Sequence, residues 1–480
     1  MSSADLADGI LPPMFPLLVH ASLDSIFSYR QGRGISVGEF LDDVARVAVS
    51  LPACSHVLNA CTDRYHFAVG LAAAITRQQI SLLPPSHDPE MVRQMLEAYP
   101  QVYGLSEQVL ATLDLPQAIY PQRLTVWTSS EQGGLAIPQI HAQQVIACVF
   151  TSGSTGRPTE HVKRWGSLVR NVRAEARRLG MSVQSGHSLV GTVPPQHMYG
   201  LESTVLVAWQ SGAAMVAERP FYPADVSATL AALPSPKVLV TTPFHLRTWL
   251  AESSQIPQLD LIVSATAPLS SKLAKEAEQR CGAPLLEVYG STETGQLATR
   301  RSAQSVQWLA FEGLQMSQRG EQVWVNGGHI EEPMALSDVL ELCEPLTSCD
   351  GGGARFILHG RSADMVNIAG KRTSLGYLNL QLNAIAGVVD GAFIWPEADA
   401  RADDGQGGVR RLSAVVVAPT LSTAQLLTAL RQRIDPAFMP RPLYFVDRLP
   451  RNATGKLPHA AILELARRVE SGAQPSPGSP

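Results

Sequence analysis

Charge is scarce in this chain. Only 17% of its 480 residues are Asp, Glu, Lys or Arg, against roughly 25% in an average soluble protein. The 38 basic and 42 acidic residues leave a net charge of −4. The basic excess that marks nucleic-acid binding is missing, so no nucleic-acid partner is expected. Long apolar runs are missing too. Residues 66–75 form one of the longest, well short of the ~18 that suggest a membrane span. The first twenty residues carry Asp5 and Asp8 but no Lys or Arg, so they lack the basic start of a secretory signal. The six cysteines, Cys54, Cys61, Cys148, Cys281, Cys343 and Cys349, form no CxxC pair. They read as free thiols in a reducing cytoplasm, not as a disulfide or zinc framework. No internal repeat is visible. What is plentiful is apolar content, 45%, and a length that suggests two to four domains at about 100–200 residues each.

The apolar residues come in a βαβ rhythm. Strands are expected at residues 56–60 and 80–83, with a helix at 65–75 between them. Further strands are expected at 145–150, 188–193, 238–241, 259–264 and 285–289. A helix near Ser167 carries Leu168, Val172, Ala176 and Leu179 on one face. Another begins at Ser270 and ends at Arg280 and Gly282. Strands alternating with helices predict an α/β protein with mainly parallel sheets. After about residue 320 the pattern changes. Residues 322–326 and 355–359 read as antiparallel strands. Strands at 365–368, 392–395, 413–418 and 443–446, with helices at 377–386 and 424–434, predict a smaller α+β domain of roughly 100 residues. Residues 399–411 read as a polar, Gly-rich loop. The last ten residues have no core-forming side chain and are expected to be disordered.

Three segments carry chemistry. Thr151-Ser-Gly-Ser-Thr-Gly-Arg-Pro158 follows a strand. Its glycines let the backbone curl around an oxyanion, and its amides and hydroxyls are phosphate donors. No Gly-Lys-Ser/Thr closes it, so it is not a Walker A loop. Tyr289-Gly-Ser-Thr-Glu-Thr-Gly295 also follows a strand. Open α/β sheets bind ligands at the carboxyl ends of strands. There a ring can stack on a base, and a carboxylate can hold Mg²⁺ on phosphate oxygens. Leu449-Pro-Arg-Asn-Ala-Thr-Gly-Lys456 places a lysine near the carboxyl end. Taken singly, each also reads as an ordinary turn, a capped helix start or a solvated lysine.

In this order, together with Gly360-Arg361, these segments resemble the motifs of the adenylate-forming superfamily of acyl-CoA synthetases, adenylation domains and luciferases. The resemblance runs from about residue 15 to about 468. It implies a large N-terminal domain over 1–361, a mobile C-terminal domain over 362–470 and a tail over 471–480. It implies that Thr151, Ser152, Gly153, Ser154, Thr155 and Gly156 cradle the β- and γ-phosphates of ATP. Tyr289 and Gly290 would lie against adenine, with Ala267 and Pro268 on the other side. Thr292 would contact the α-phosphate and Glu293 would hold Mg²⁺. Asp338 would take the ribose hydroxyls, with Asp350 as competitor, and Arg361 would also reach the ribose. Lys456 would act in the first half-reaction. His197, Tyr199, Gly200 and Thr266 would line the acid pocket and the thiol entry. The implied activity is attack of a carboxylate on ATP, followed by transfer from acyl-AMP to a thiol.

The departures from the family's pattern cluster on the second half-reaction. Thr159 stands where the loop commonly has Lys, and the nearest lysine is Lys163. Ala363 replaces the hinge Asp or Lys, Asn367 replaces a common Lys, and Leu375-Gly-Tyr stands in place of a usual Glu. Other stretches resemble the acid:acyl-carrier-protein ligases of aryl-polyene and xanthomonadin-type pigment pathways. They are Asn59-Ala-Cys-Thr-Asp-Arg-Tyr-His-Phe67, Leu82-Leu-Pro-Pro85, Pro194-Pro-Gln-His-Met-Tyr-Gly-Leu-Glu202 and Ser264-Ala-Thr-Ala-Pro-Leu269. This implies a small, hydroxybenzoate-like acid as substrate and a phosphopantetheinyl carrier protein as acceptor, with Lys371 and Arg372 as a basic rim. An ordinary acyl- or aryl-CoA synthetase is the alternative within enzymes. A non-catalytic acyl-AMP or carrier-protein binder is the alternative of another class.

Overall fold

The computed structural model describes residues 13–84, 89–121, 136–152, 158–253, 255–343, 353–361, 364–368, 371–395, 412–452, 455 and 457–470. The βαβ units build two sheets. The first runs in the order Pro158–Arg164, Val145–Ser152, Ile80–Leu83, His56–Asn59, Val102–Ser106, Gln117–Ile119. Its strands are parallel except for the first pair. The second has a parallel centre of Leu285–Ser291, Leu261–Ser264, Lys237–Thr241, Ser188–Gly191, Ala214–Val216 and Ile26–Arg30. Antiparallel strands extend both of its edges.

Parallel strands are buried on both faces, so they need helices on each. The helix Arg64–Thr76 is apolar on nearly every side, and all but its first-turn His66 and its last residue are buried. It contributes to one core with Val57, Ile146, Leu189, Val263 and Trp209, which come from both sheets and a neighbouring helix. Its first residue, Arg64, is fully buried. The guanidinium donates to the carbonyls of Gly191, Val193, Val216 and Glu218. These carbonyls end two parallel strands, so Arg64 fixes that end of the sheet to the helix.

Beyond residue 364 the chain has its own cores. One contains Val366, Leu378, Leu382, Phe393 and Leu426, and the other Ala392, Val415, Leu449 and Ile462. The strands Asp390–Ile394, Ser413–Val417 and Leu443–Phe445 form a mixed sheet. The helices Leu375–Asn383, Thr423–Arg431 and His459–Glu470 accompany it. The molecule is therefore a large α/β region followed by a smaller α+β region. Among the described residues no helix is long and apolar enough to cross a membrane, and five of the cysteines are free.

Several elements were not foreseen in the sequence reading, among them the helices Val37–Ser50, Pro223–Ala232 and Pro243–Glu252, and two more stand next to the motifs. The stretch before the helix Trp165–Arg178 is an antiparallel return strand, Pro158–Arg164. The helix His459–Glu470 was not foreseen. It exists because Ile462 and Ala466 find a partner surface in the small sheet. The expected loop over 399–411 and the tail 471–480 lie outside the described residues.

Candidate active site

The return strand explains the first motif. Thr159 pairs with Thr151, and Glu160 with Phe150. Thr151 and Ser152 thus end the rising arm of a β-hairpin whose other arm starts at Pro158. Gly153, Ser154, Thr155 and Gly156 lie outside the described residues. At the root, Thr151 Oγ1 and His161 Nε2 are hydrogen-bonded at 2.9 Å. The same nitrogen lies 4.0 Å from Glu293 Oε1. One histidine therefore bridges the first and second motifs.

The second motif is also a tight hairpin, Leu285–Ser291 returning as Gly295–Arg300. A Cβ on Gly290 would stand 2.3 Å from the Gly295 carbonyl oxygen, so only glycine closes this turn. Ser291 and Thr294 bond to each other across it. This presents Thr292 half-buried and the Glu293 side chain 48% exposed. Burial raises the Glu293 carboxyl. The Ser291 hydroxyl, its own backbone N–H, His161 and Lys163 outweigh that and hold it below the usual carboxylate value. A half-exposed, ionised carboxylate suits Mg²⁺, which keeps several waters and binds through one or two carboxylates plus phosphate oxygens. Among the described residues no group of three His, Cys, Asp or Glu could hold a metal by protein ligands alone.

The nucleotide candidates converge. The Tyr289 hydroxyl donates to Asp338 Oδ2 at 2.6 Å. Asp338 pairs in register with Arg361 across the strands Asp338–Leu342 and Arg355–Arg361. The Tyr289 ring is backed by Trp308 and Phe356, with centroids at 5.6 and 5.5 Å. Asp350 lies outside the described residues. Ala267 and Pro268 follow the strand Leu261–Ser264, which pairs directly with Leu285–Ser291. Ala267 is half-buried and Pro268 exposed.

The acid-pocket candidates form a corner next to this. His197 opens a short helix, and Tyr199 shares its hydroxyl between the carbonyls of Thr241 and Val263, 3.1 Å from each. These carbonyls end two parallel strands. Thr266 follows at φ +80°, a conformation that costs a β-branched residue energy and gathers at functional sites. Its Oγ1 is buried without a hydrogen-bond partner among the described residues. An unpaired hydroxyl at a strand end is available to a ligand.

Gly200 is required by close approach. A Cβ there would lie 1.9 Å from the Pro194 carbonyl oxygen. Gly200→Ala must move backbone on one side or the other. It is expected to destabilise the chain by about 3 kcal/mol, the upper end of overpacking costs. The denaturation midpoint checks this. A midpoint equal to the parent's would mean that the turn and the helix do not touch.

The third motif arrives from the small region. Gly455 is buried at φ +74°. A Cβ there would be 3.0 Å from Phe244 Cβ and 3.4 Å from Thr242 Oγ1. Thr242 directly follows Thr241, whose carbonyl holds Tyr199. Lys456 lies outside the described residues, as do Ser362 and Ala363. Lys371, expected in a basic rim, pairs with Asp435 at 2.6 Å, so its charge is partly answered within the molecule.

The sequence reading gave no role to His161, Glu202 or His329, and noted Lys163 only as the nearest lysine. Lys163 is buried and donates to the Thr292 and Glu293 carbonyls. His329 Nε2 reaches the Thr294 carbonyl at 2.9 Å. Glu202 ends a stretch noted only for its resemblance, and the others fall outside the motifs, on the unforeseen return strand and on the turn between Gln322–Gly327 and Ile330–Ala335.

Comparison with known proteins agrees with this layout. The family described as AMP-binding enzyme matches residues 43–315, more than half of the chain. The 4-coumarate–CoA ligase of Rhodobacter capsulatus is 29% identical over 310 residues, covering 64% of this chain and 73% of that protein. The indoleacetate–CoA ligase of Aromatoleum aromaticum is 25% identical over 443 residues, covering 83% and 82%. Among solved structures, the anthranilate CoA ligase AuaEII in complex with anthranoyl-AMP superposes with a TM-score of 0.75 at 16% identity, covering 98% of this chain and all of that one. ATP-bound MatB from Rhodopseudomonas palustris gives 0.75 at 19%, covering 95% and 98%. These structural likenesses concern the fold. The hairpin of the first motif, the turn of the second and the match over 43–315 together make this chain a member of the AMP-binding enzyme family.

Proposed function

We propose that this chain activates a small aromatic carboxylic acid with ATP, forming acyl-AMP, and passes the acyl group to a phosphopantetheine thiol. The observation that carries the reading is the seat of Gly455 on Thr242 and Phe244. It brings Gly455, the residue before Lys456, to the corner that holds Tyr199, on the same sheet as the strand that carries Tyr289. In the first step a carboxylate oxygen of the acid attacks the α-phosphorus, and pyrophosphate leaves. Two anions must approach, so the barrier is largely electrostatic. Thr151 and the loop it roots would hold the outer phosphates. Tyr289, Asp338 and Arg361 would hold the nucleoside. Glu293 would hold Mg²⁺, which when bound offsets the phosphate charge. Lys456 would sit between the carboxylate and the α-phosphate. In the second step a thiol attacks the acyl carbonyl and AMP leaves. The small domain, 362–470, would turn on the large one, 1–361, between the steps.

An aromatic acid is supported by the names of the relatives, which act on 4-coumarate, indoleacetate and, in Thauera aromatica, 3- and 4-hydroxybenzoate. The test is pyrophosphate release with benzoic, cinnamic, β-hydroxy and fatty acids. The aromatic acids are expected to win, and release with none of the four classes would reject the reading in favour of a non-catalytic binder. The acceptor we propose is a carrier protein, on the residues shared with pigment-pathway ligases. Free CoA is the second reading, favoured by the CoA ligases among the relatives. Product formation with CoA and with holo-carrier protein, at matched thiol and at two salt concentrations, separates them. A carrier-protein advantage that shrinks with salt is expected if charge steers docking. Turnover with CoA alone would decide for the second reading.

A further inference from the structure

Lys163 stands on the return strand of the phosphate-loop hairpin, paired with Ala147. Only 8% of it is exposed. Its ammonium donates to the Thr292 carbonyl and, at 3.4 Å, to that of Glu293. Other elements brace the same turn. His329 holds the Thr294 carbonyl, and Asn171 Nδ2 donates to that of Gln296 at 3.2 Å. Carbonyls 292, 293, 294 and 296 are thus gripped by side chains from a strand, a helix and a loop.

Burying an ammonium costs much of its hydration, so it needs compensation. Here it comes from two carbonyls and from carboxyls below. Lys163, Glu202 and Glu293 line one cleft of about 330 Å³. Glu202 Oε1 has no hydrogen-bond partner among the described residues. Burial raises its pKa, with the Lys163 ammonium opposing and Glu175 adding. Glu202 belongs to a π-helical turn, Leu201–Leu206, an irregularity frequent at functional sites. The next residue, Ser203, is tied to Gln296 by a 2.7 Å hydrogen bond.

We infer that Lys163 is a positioning residue: it clamps the Thr292–Glu293 turn against the hairpin that carries the phosphate loop. This rests on the adenylation reading given above. The clamp matters because small displacements of reacting groups are expensive. A misplacement of about 1 Å can cost ~10²-fold in rate. Lys163 acts through two backbone carbonyls.

The test must separate positioning from charge compensation. Lys163→Met alone strands the buried carboxyls and can fail to fold. Lys163→Met with Glu202→Met removes the ammonium and the buried carboxyl that shares its cleft at similar volume, and replacing buried polar groups together by apolar ones is often neutral or stabilising. The double variant is expected to regain the parent's Tm. Its pyrophosphate release should stay about 10²-fold low in kcat, with the KM for the acid within threefold of the parent's. Amide hydrogen exchange over residues 288–297 should be faster than in the parent. Recovery of kcat together with Tm would overturn the inference, leaving Lys163 a counter-charge to Glu202. Unchanged exchange would overturn it as well. A parent that releases no pyrophosphate with any acid would instead reject the adenylation reading, and the exchange result would still decide whether the turn is clamped.

Discussion

Lys456→Ala is expected to slow acyl-AMP formation by about 10²-fold or more, the loss typical of one preorganised donor, while hardly changing transfer from a preformed adenylate. The scaffold of the preceding residue supports this. Arg451 donates to the Gly455 carbonyl at 2.7 Å, and Asp390 grips the same guanidinium with both oxygens at 2.7 Å. Arg451 also lies over the Phe244 ring, 5.9 Å from its centroid. The loop is therefore held from behind by its own domain and seated in front on the large one. Lys456 directly follows a backbone position held in this way, so it is expected to supply charge without reorganising during the reaction. Arg247 donates to the Val389 carbonyl at the same seat. If the small domain turns between the steps, as proposed above, Lys456 should serve the step in which that domain is seated and leave the other step alone. Pyrophosphate exchange measures the first step, and thioester formation from synthetic acyl-AMP measures the second. Near-normal exchange would refute the assignment, and equal loss of both steps would point to a misfolded domain.

Many of the parallel strands, and the helices Arg64–Thr76, Trp165–Arg178 and Ser271–Cys281, were legible in the sequence because burial on both faces leaves unbroken apolar runs between turn residues. The expected strands at 80–83 and 365–368 coincide with those observed. The helix expected to begin at Ser270 is capped there, with Ser270 accepting from Leu273 N–H, and it ends at Gly282 with φ +66°. The site was legible only where a motif follows its strand directly. The return strand Pro158–Arg164 shows why the rest was not. Val162, an apolar residue, is 50% exposed, and Lys163, a charged one, is buried. Alternation read from residue type puts the wrong face inward. Such reversals concentrate where function overrides local preference. The pairing of Asp338 with Tyr289 was hidden for another reason. Asp338 was placed on a weak motif match, whereas its position is set by the strand opposite Arg361 and by contact with a residue 49 positions earlier.

Glu293→Gln is expected to lower adenylation by about 10²-fold and to raise the Mg²⁺ needed for half-maximal rate by roughly tenfold, a 1.4 kcal/mol loss in binding. The substitution keeps the volume and one acceptor oxygen, so the bonds between Ser291 and Thr294 that shape the turn should survive. It removes the charge. That charge is maintained by the molecule, because Ser291, His161 and Lys163 together hold the carboxyl below its usual value despite burial. A hard cation on phosphate oxygens gains most from a full carboxylate, and an amide oxygen replaces it poorly. Since the side chain is 48% exposed, its replacement should move Tm little, and reduced rate with unchanged Tm separates a site effect from unfolding. Raised Mg²⁺ should restore activity only in part, because occupancy recovers while the geometry set by the carboxylate does not. The measurement is the initial rate of pyrophosphate release across a Mg²⁺ titration, with the free ion held above the ATP concentration. If parent and variant give the same curve, Glu293 does no more than shape its hairpin, and the ion is held elsewhere.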